Sequence, residues 1–423
     1  MMSKSANPTN ELPKYWKWVK LEEVCEKVEA VKRKEKNPED ELLYLDIGGI
    51  DNSANKILSH KNYKWKDAPS RAQQIVLKDD ILFSTVRTYM KNIAVIENNI
   101  YDGQIASSGF CVIRNNKKAT NPKFVFYYTI SQNFLRPLNE LQTGSSYPAV
   151  RDKDVFIQPF PLPPLPTQLA IVSKIEELFS ELDKGIENLR LAQQQLKTYR
   201  QSVLKWAFEG KLTNENVKEG ELPKGWKLQK LNEIGTWKGG GTPSKANKEF
   251  WEKGNILWVS PKDMKSKVIH DTIDRITLDA IEKSSTKLIS KGSILFVVRS
   301  GILRRTLPVA ITICDVTVNQ DLQAFTPKEV LPDYVYWYMQ AKNEDIRRDC
   351  SKDGTTVESI ESSLLKNYLI PICSGLEQYR IIQEIESRLS VADKMEESIT
   401  QSLQQAEALR QSILKKAFEG RLV

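Results

Sequence analysis

Histidine is almost missing from this 423-residue chain: His60 and His270 are the only two. Neither has a cysteine or an acidic cluster near it in sequence, so a metal centre or a Ser/His/Asp relay cannot be put together from the usual side chains. Both read as solvated loop residues. Cysteine is scarce too. The five (Cys25, Cys111, Cys314, Cys350 and Cys373) are odd in number, scattered and never spaced Cys-x-x-Cys, which speaks against a disulfide framework or structural zinc and for a reducing cytoplasm. No hydrophobic run reaches the ~20 residues needed to span a bilayer, and the opening MMSKSANPTNELPK lacks the apolar core of a secretion signal. A cytoplasmic protein with no membrane partner is expected. Phosphate-cradling loops are missing as well: there is no GxxxxGK[ST] and no GxGxxG, and Gly239-Gly240-Gly241 lacks the spacing of a dinucleotide turn.

What the chain does have, it has twice. Residues 200–212 read RQSVLKWAFEGKL and residues 410–422 read RQSILKKAFEGRL, an offset of 210 (410 − 200). The offset continues upstream without a gap, pairing Gln168 with Gln378, Ile171 with Ile381, Glu176 with Glu386, Asp183 with Asp393 and Lys184 with Lys394. In the first copy Ile171, Ile175, Leu178, Leu182, Leu189, Ala192, Leu196, Tyr199, Val203 and Trp206 step by three and four, the period of a coiled-coil seam. The second copy keeps the stripe through Ile381, Ile385, Leu389, Ala392, Met395, Ile399, Leu403, Ala406, Leu409, Ile413 and Ala417. A single apolar stripe on a long helix needs a partner, and the other copy, packed antiparallel, is the simplest one. Each helix would be roughly 60 Å long and act as a ruler. Gly210 and Gly420 stand where a left-handed stop belongs, and Ser374 with Glu377 predicts a capping box.

The two globular halves open alike, with LPKYW at 12–16 and LPKGW at 222–226, and then diverge. Short Ile/Val/Phe-rich runs between Gly, Asn, Asp and Ser predict strands and polar loops. KDDILF (78–83) and KGSILF (291–296) read as one strand used twice, and PKFVFYYTI (122–130) against PDYVYWYMQ (332–340) as a packed helix. QPFPLPPLPTQ (158–168) reads as a stiff connector, with proline-motif recognition as the other reading; the polar stretch 213–221 reads as a linker. The expected fold class is α+β: two globular domains related by an internal repeat and separated by two long helices packed as an antiparallel coiled coil. The expected order is domain 1 over 1–160, lead-in and helix over 161–212, domain 2 over 213–370 and helix over 371–423.

The net charge of +8 suits an acidic partner. Polar and basic residues bunch in the predicted loops: Ser70, Arg71, Ser84, Thr85, Arg87, Tyr89, Lys91, Ser107, Ser108, Ser145, Ser146 and Tyr147 in the first half. In the second they are Thr242, Ser244, Lys245, Ser260, Lys262, Lys265, Arg299, Ser300, Arg304, Arg305, Asn319, Gln320, Thr355 and Thr356. Arginine and amide side chains can read base edges, while Ser, Thr and Lys suit phosphate oxygens; a solvated surface shows the same residue types. Arg87 and Arg299 stand out because each follows the shared Ile-Leu-Phe strand. Asp263-Met264-Lys265 is the nearest thing to the carboxylate-lysine pattern of a metal-dependent nuclease; the other reading is a basic loop with Lys262, Lys265 and Lys267.

These features together resemble the DNA-specificity subunits of type I restriction-modification systems. The residues that carry the resemblance are the two Leu-Pro-x-x-Trp openings, APSRA (68–72), ILFSTVR (81–87), IASSGFCVIR (105–114), GSSYPAV (144–150), PLPPLPTQ (161–168), GGTPS (240–244), WVSPKD (258–263) and the two AFEG(K/R)L endings. The second lead-in, YLIPICSGLEQ, departs from the proline-rich form. The resemblance implies a non-catalytic chain that binds double-stranded DNA at a split target, one half-site per domain, with the helices setting the gap. It also implies two methyltransferase (modification) subunits and restriction/translocase subunits as partners. S-adenosylmethionine, ATP and Mg would sit on those partners and no cofactor on this chain. Docking is expected around Trp206, Phe208 and Phe418. The other function classes are a stand-alone nuclease or DNA-modifying enzyme, for which no Asn-Pro-Pro-aromatic base pocket is present, and a protein-binding coiled-coil scaffold.

Overall fold

The computed structural model describes residues 12–214, 216–352 and 357–423. The chain divides into two compact units, one of residues up to 190 together with 400–423, the other of residues 191–399. Compactness therefore groups the chain differently from its linear order, because each long helix contributes to both units.

Those helices run Leu165–Phe208 and Gly375–Phe418, 44 residues each. Their starts are fixed by the repeated glutamines. Gln168 accepts from Asn121 N at 2.8 Å and donates to Pro163 O at 2.9 Å; Gln378 accepts from Leu331 N at 2.9 Å and donates to Cys373 O at 2.9 Å. Both glutamines are buried, so each ties its long helix to the segment just before a short one, Pro122–Thr129 or Pro332–Ala341. The expected capping box is half formed: Glu377 N donates to Ser374 Oγ at 3.4 Å, but the Glu377 carboxylate accepts from Thr213 and Asn214 instead. Gly210 and Gly420 have φ of +77° and +68°, the left-handed stop that glycine adopts without steric cost. A Cβ on either would sit 2.2 Å from a proline carbon, Pro223 for Gly210 and Pro13 for Gly420. The Leu-Pro-x-x-Trp openings thus pack on the Ala-Phe-Glu-Gly endings.

In the first unit one sheet has the order Cys25–Glu26, Phe110–Asn115, Ile81–Ser84, Ile93–Val95. Another has the order Lys61–Lys64, Glu41–Leu45, Ile105–Ser107, Ala72–Ile75, with Glu41–Leu45 and Ile105–Ser107 parallel. The second unit repeats the plan: Gly235–Gly239, Leu322–Pro327, Ile294–Val297, Val309–Thr312 and an added Val268–Ile269; then Asp274–Ile276, Ile256–Val259 and Thr317–Val318, the last two parallel. The shared Ile-Leu-Phe strand is interior in both, and successive side chains point to opposite faces. Ile81 and Phe83 join the core with Phe124, Tyr128 and the long helices, while Leu82 joins a second core on the other face. Ile294 and Phe296 are separated from Leu295 and Val297 in the same way. Burial on both faces is why this strand is an unbroken apolar run.

The proline-rich lead-in is a strand rather than a connector. Pro159–Leu162 pairs antiparallel with Lys17–Lys20. Leu21 N bonds to Gln158 O at 3.0 Å, so alternate residues 158, 160 and 162 face the partner and the missing N–H groups of Pro159 and Pro161 point away. Leu369–Ile372, with the single Pro371, makes the same pairing with Lys227–Lys230. The departure of the second lead-in from the proline-rich form leaves the backbone unchanged.

Within each unit a segment of one long helix lies antiparallel to a segment of the other. In the first, Asp183 pairs with Arg410, whose guanidinium lies 4.6 Å from the Phe179 ring centre. In the second, Arg200 meets Asp393 at 2.6 Å and Glu396 at 2.8 Å. The repeat offset turns one pair into the other, Asp183 into Asp393 and Arg200 into Arg410. The predicted stripe is buried at Ile171, Ile175, Val203, Ile381, Ile385, Ala392, Ile413 and Ala417 and departs from the buried face at Tyr199, Trp206, Met395 and Leu409, which are exposed; Ala207 is buried beside Trp206.

Two substitutions separate the roles of the helix glycines. Gly420→Ala meets both the positive φ and Pro13 and is expected to lower stability by about 2 kcal/mol. Gly185→Ala, inside the first helix with nothing within 4 Å of its added Cβ, is expected to raise it by about 0.5–1 kcal/mol. Urea unfolding of the full chain measures both.

Candidate nucleic-acid interface

Beyond the shared strand of the first unit the chain turns through Val86 into Arg87, which holds φ +50°. Such a backbone costs a non-glycine residue energy and persists where surroundings hold it. Arg87 N donates to Pro148 O at 2.7 Å, its Nη2 donates to Ser146 O at 3.0 Å, and its guanidinium lies 4.8 Å from the Tyr147 ring centre. Two loops, 85–91 and 143–149, are thereby locked together. A third joins through Gly109 O, which accepts from Thr85 N and Thr85 Oγ1, both at 3.0 Å. A fourth joins where Ser108 N donates to Arg71 O at 2.8 Å. Arg71, Tyr89, Ser145, Ser146 and Tyr147 are exposed on this rim. Lys91 reaches along the unit to Glu407 at 3.3 Å.

Equivalent loops in the second unit are joined by different chemistry. Val298 N donates to Asp321 O at 2.8 Å, Ser300 N to Glu358 O at 3.0 Å, and Ser300 Oγ caps Ile302 N at 3.4 Å. Arg299 pairs with Asp321 and Arg304 with Glu358. Arg347 donates to the carbonyls of Leu303, Arg304 and Arg305, holding a turn that leaves Arg304 and Arg305 exposed. Thr242 bonds to Gln320, and Ser244 O accepts from Trp251 Nε1 at 3.1 Å. Lys262 and Lys265 are exposed. Asp263, the candidate metal carboxylate, accepts from Ser260 N and Oγ at 2.8 Å each and from Ile273 N at 2.9 Å. It organises the loop that presents those lysines. Thr355 and Thr356 lie outside the described residues.

Several expected contact residues turn inward. Ser84, Thr85, Ser107 and Asn319 are buried. Ser84 Oγ donates to Val86 O at 2.9 Å, Ser107 Oγ accepts from Gly109 N at 3.2 Å, and Asn319 Oδ1 accepts from Asp321 N at 3.0 Å. They shape the loops instead of facing a ligand. Phe208 and Phe418, expected to dock partners, are core residues: Phe208 packs edge-on against Tyr334 and Tyr338, and Phe418 against Phe124 and Tyr128. Trp206, 40% exposed, remains on the surface. Asp321, Glu358 and Arg347 did not stand out in sequence.

The titratable groups are tuned for structure. Burial pushes the Cys25 thiol up to about 12 and those of Cys350 and Cys373 up to about 11, so they stay protonated at neutral pH. Arg114 pairs with the buried Asp80 at 2.7 Å, yet burial still raises the Asp80 carboxyl above its ordinary value. Among the described residues no group of three or more His, Cys, Asp or Glu could hold a metal ion, and no helix is long and apolar enough to cross a membrane.

Comparison with known proteins gives a consistent set. A family model described as "Type I restriction modification DNA specificity domain" matches residues 13–190 and 223–408. The chain is 37% identical over 362 residues to the specificity subunit of the type I restriction enzyme EcoR124I/EcoR124II of Escherichia coli, covering 84% of this chain and 80% of the relative. It is 26% identical over 329 residues to the EcoKI specificity subunit of the same species, covering 74% and 68%. Among solved structures, one described as the "structural basis underlying complex assembly and conformational transition of the type I R-M system" aligns with a TM-score of 0.81 at 27% identity, over 97% of this chain and 99% of that one. The HsdS subunit from Thermoanaerobacter tengcongensis aligns with a TM-score of 0.65 at 28% identity, over 99% and 100%.

Rim and interior residues should respond differently to mutation. Arg71→Ala is expected to weaken duplex binding evenly across sequences and to reduce the salt slope by about one. Ser107→Ala should lower the unfolding midpoint and leave the salt slope unchanged. Filter binding at several salt concentrations, alongside urea unfolding, distinguishes the two.

Proposed function

Because the chain belongs to the type I restriction-modification DNA specificity family, we propose that it recognises a bipartite double-stranded target, one half-site per globular domain, with the paired helices setting the gap. The observation that carries this reading is the doubled plan itself. Each half has the same order of shared strands and the same Gln-anchored helix, but the loops beyond them are braced differently: Arg87 against Ser146 O and the Tyr147 ring on one, Arg299 and Arg304 against Asp321 and Glu358 on the other. A common frame with unlike rims suits a protein that reads two unlike sequences. Each long helix is continuous through residues of both units, as a spacer needs.

Bond-making falls to partners in this reading. Two methyltransferase subunits dock on the chain and supply S-adenosylmethionine and the base pocket, and restriction/translocase subunits supply ATP and Mg chemistry. Trp206, Tyr199 and Met395 are partly exposed on the helices, and aromatic residues and methionine are enriched at protein interfaces, which supports such docking. A nuclease within this chain is not favoured, because the Asp263 carboxylate already holds its own loop.

Methylation mapping in a cell that gains this chain together with modification subunits is expected to show a split motif. Replacing residues 30–150 should change one half-site only. Deleting seven residues from each long helix, which keeps the seam in phase, shortens each by about 10 Å and should shorten the gap by about two or three base pairs. An altered half-site with an unchanged gap would refute the spacer role. Purified chain with target duplex, Mg and S-adenosylmethionine should give no turnover; methylation or cleavage by this chain alone would overturn the division of labour.

A further inference from the structure

Arg299 lies two residues past the strand that both halves share, Ile294–Val297 in this unit, and its guanidinium is held at one edge. Nε donates to Asp321 Oδ1 at 2.7 Å, and Nη2 lies 2.6 Å from the same oxygen. Asp321 is itself fixed: Asn319 Nδ2 donates to Asp321 Oδ2 at 3.2 Å, and Asp321 N donates to Asn319 Oδ1 at 3.0 Å. Asn319 is buried, and its N donates to Val259 O at 3.0 Å, so this chain of contacts is rooted in the second sheet. Exposure rises along it, from 22% for the Asp321 side chain to 55% for Arg299.

An exposed ion pair contributes only ~0–1 kcal/mol to folding, so stability gives little reason for three tiers of support. Orientation does. With the Nε edge occupied, the remaining N–H groups of Nη1 and Nη2 face away from the carboxylate, and that pair matches O6 and N7 of guanine in the major groove. The carboxylate also offsets the charge that would otherwise draw the side chain to any phosphate. Arg304 differs: its contact with Glu358 is a single one at 3.2 Å, and its side chain is 70% exposed.

We propose that Arg299 reads a guanine in the half-site of the second domain and that Asp321 is its positioning residue. The proposal rests on the reading that this domain contacts DNA. Methylation mapping, with modification subunits supplied, tests it on wild type, Arg299→Ala, Arg299→Lys, Asp321→Asn and Asp321→Ala, beside a chain whose residues 235–326 are replaced. Arg299→Ala is expected to reduce preference at one G·C pair by about ten- to a hundredfold, with the other half-site unchanged. The Asp321 variants should relax the same pair while tightening binding of the full chain to a random-sequence duplex, a gain that mere loosening of the loop would not produce. If Arg299→Ala abolishes methylation, Arg299→Lys decides: retained methylation with that pair relaxed supports the assignment. An unchanged motif in the Arg299 variants, or Asp321 variants that relax other positions or none, overturns it. If replacing 235–326 leaves the motif intact, the DNA-contacting reading of this domain falls, and the guanine assignment with it; a moved half-site beside silent Arg299 variants overturns the assignment alone.

Discussion

Everything in this structure depends on how each globular core is closed. The core of the first unit is completed by Phe418, Ala417 and Leu414 from the far end of the second long helix, and that of the second unit by Phe208, Ala207 and Val203 from the end of the first. Aromatic insertion of this kind, edge-on against two tyrosine or phenylalanine rings, is among the larger single contributions a core can receive. It explains why the most closely repeated residues of the chain are the Ala-Phe-Glu-Gly endings. The phenylalanine fills the core, the glycine turns the chain, and the turn rests on the proline of a Leu-Pro-x-x-Trp opening.

That closure frees the rims. Once helix ends and inner strands supply the stability, loops at the strand ends need only hold their own shape. Two solutions are visible, a strained Arg87 locked by carbonyls and a tyrosine ring in one unit, and acidic side chains bracing Arg299 and Arg304 in the other. Surface loops on a rigid frame tolerate change well, which accords with a family whose members are DNA specificity subunits.

Much of this was legible in the sequence because period and offset are strong signals. The doubled helix, the shared Ile-Leu-Phe strand and the glycine stops all follow from side-chain patterning within short windows. What was hidden depends on distant segments. Pro159–Leu162 looked unfit for regular structure because the rule against proline in a sheet applies only to residues facing the partner strand, and that partner lies at Lys17–Lys20. Ser84, Thr85, Ser107 and Asn319 looked like surface residues because their types suit DNA. Thr85 is satisfied by Gly109 of another loop, while Ser84, Ser107 and Asn319 bond two residues along in their own turns and are covered by segments distant in sequence. Trp206 was placed in the seam because a three-four step fits more than one phase of a helix, and the buried neighbour Ala207 takes that place instead.

The arrangement of the first core has a consequence for how the protein is made. Unit two is a continuous stretch, residues 191–399, whereas unit one needs residues 400–423 as well as everything up to 190. On the ribosome, the amino-terminal half emerges first yet lacks part of its hydrophobic lining until the last turns of the second helix are translated. The later-made half has all of its own residues sooner. Vectorial synthesis would then finish the molecule in the reverse of its reading order, leaving the first-made sheet partly uncovered in the meantime, a period in which a chaperone has most to protect.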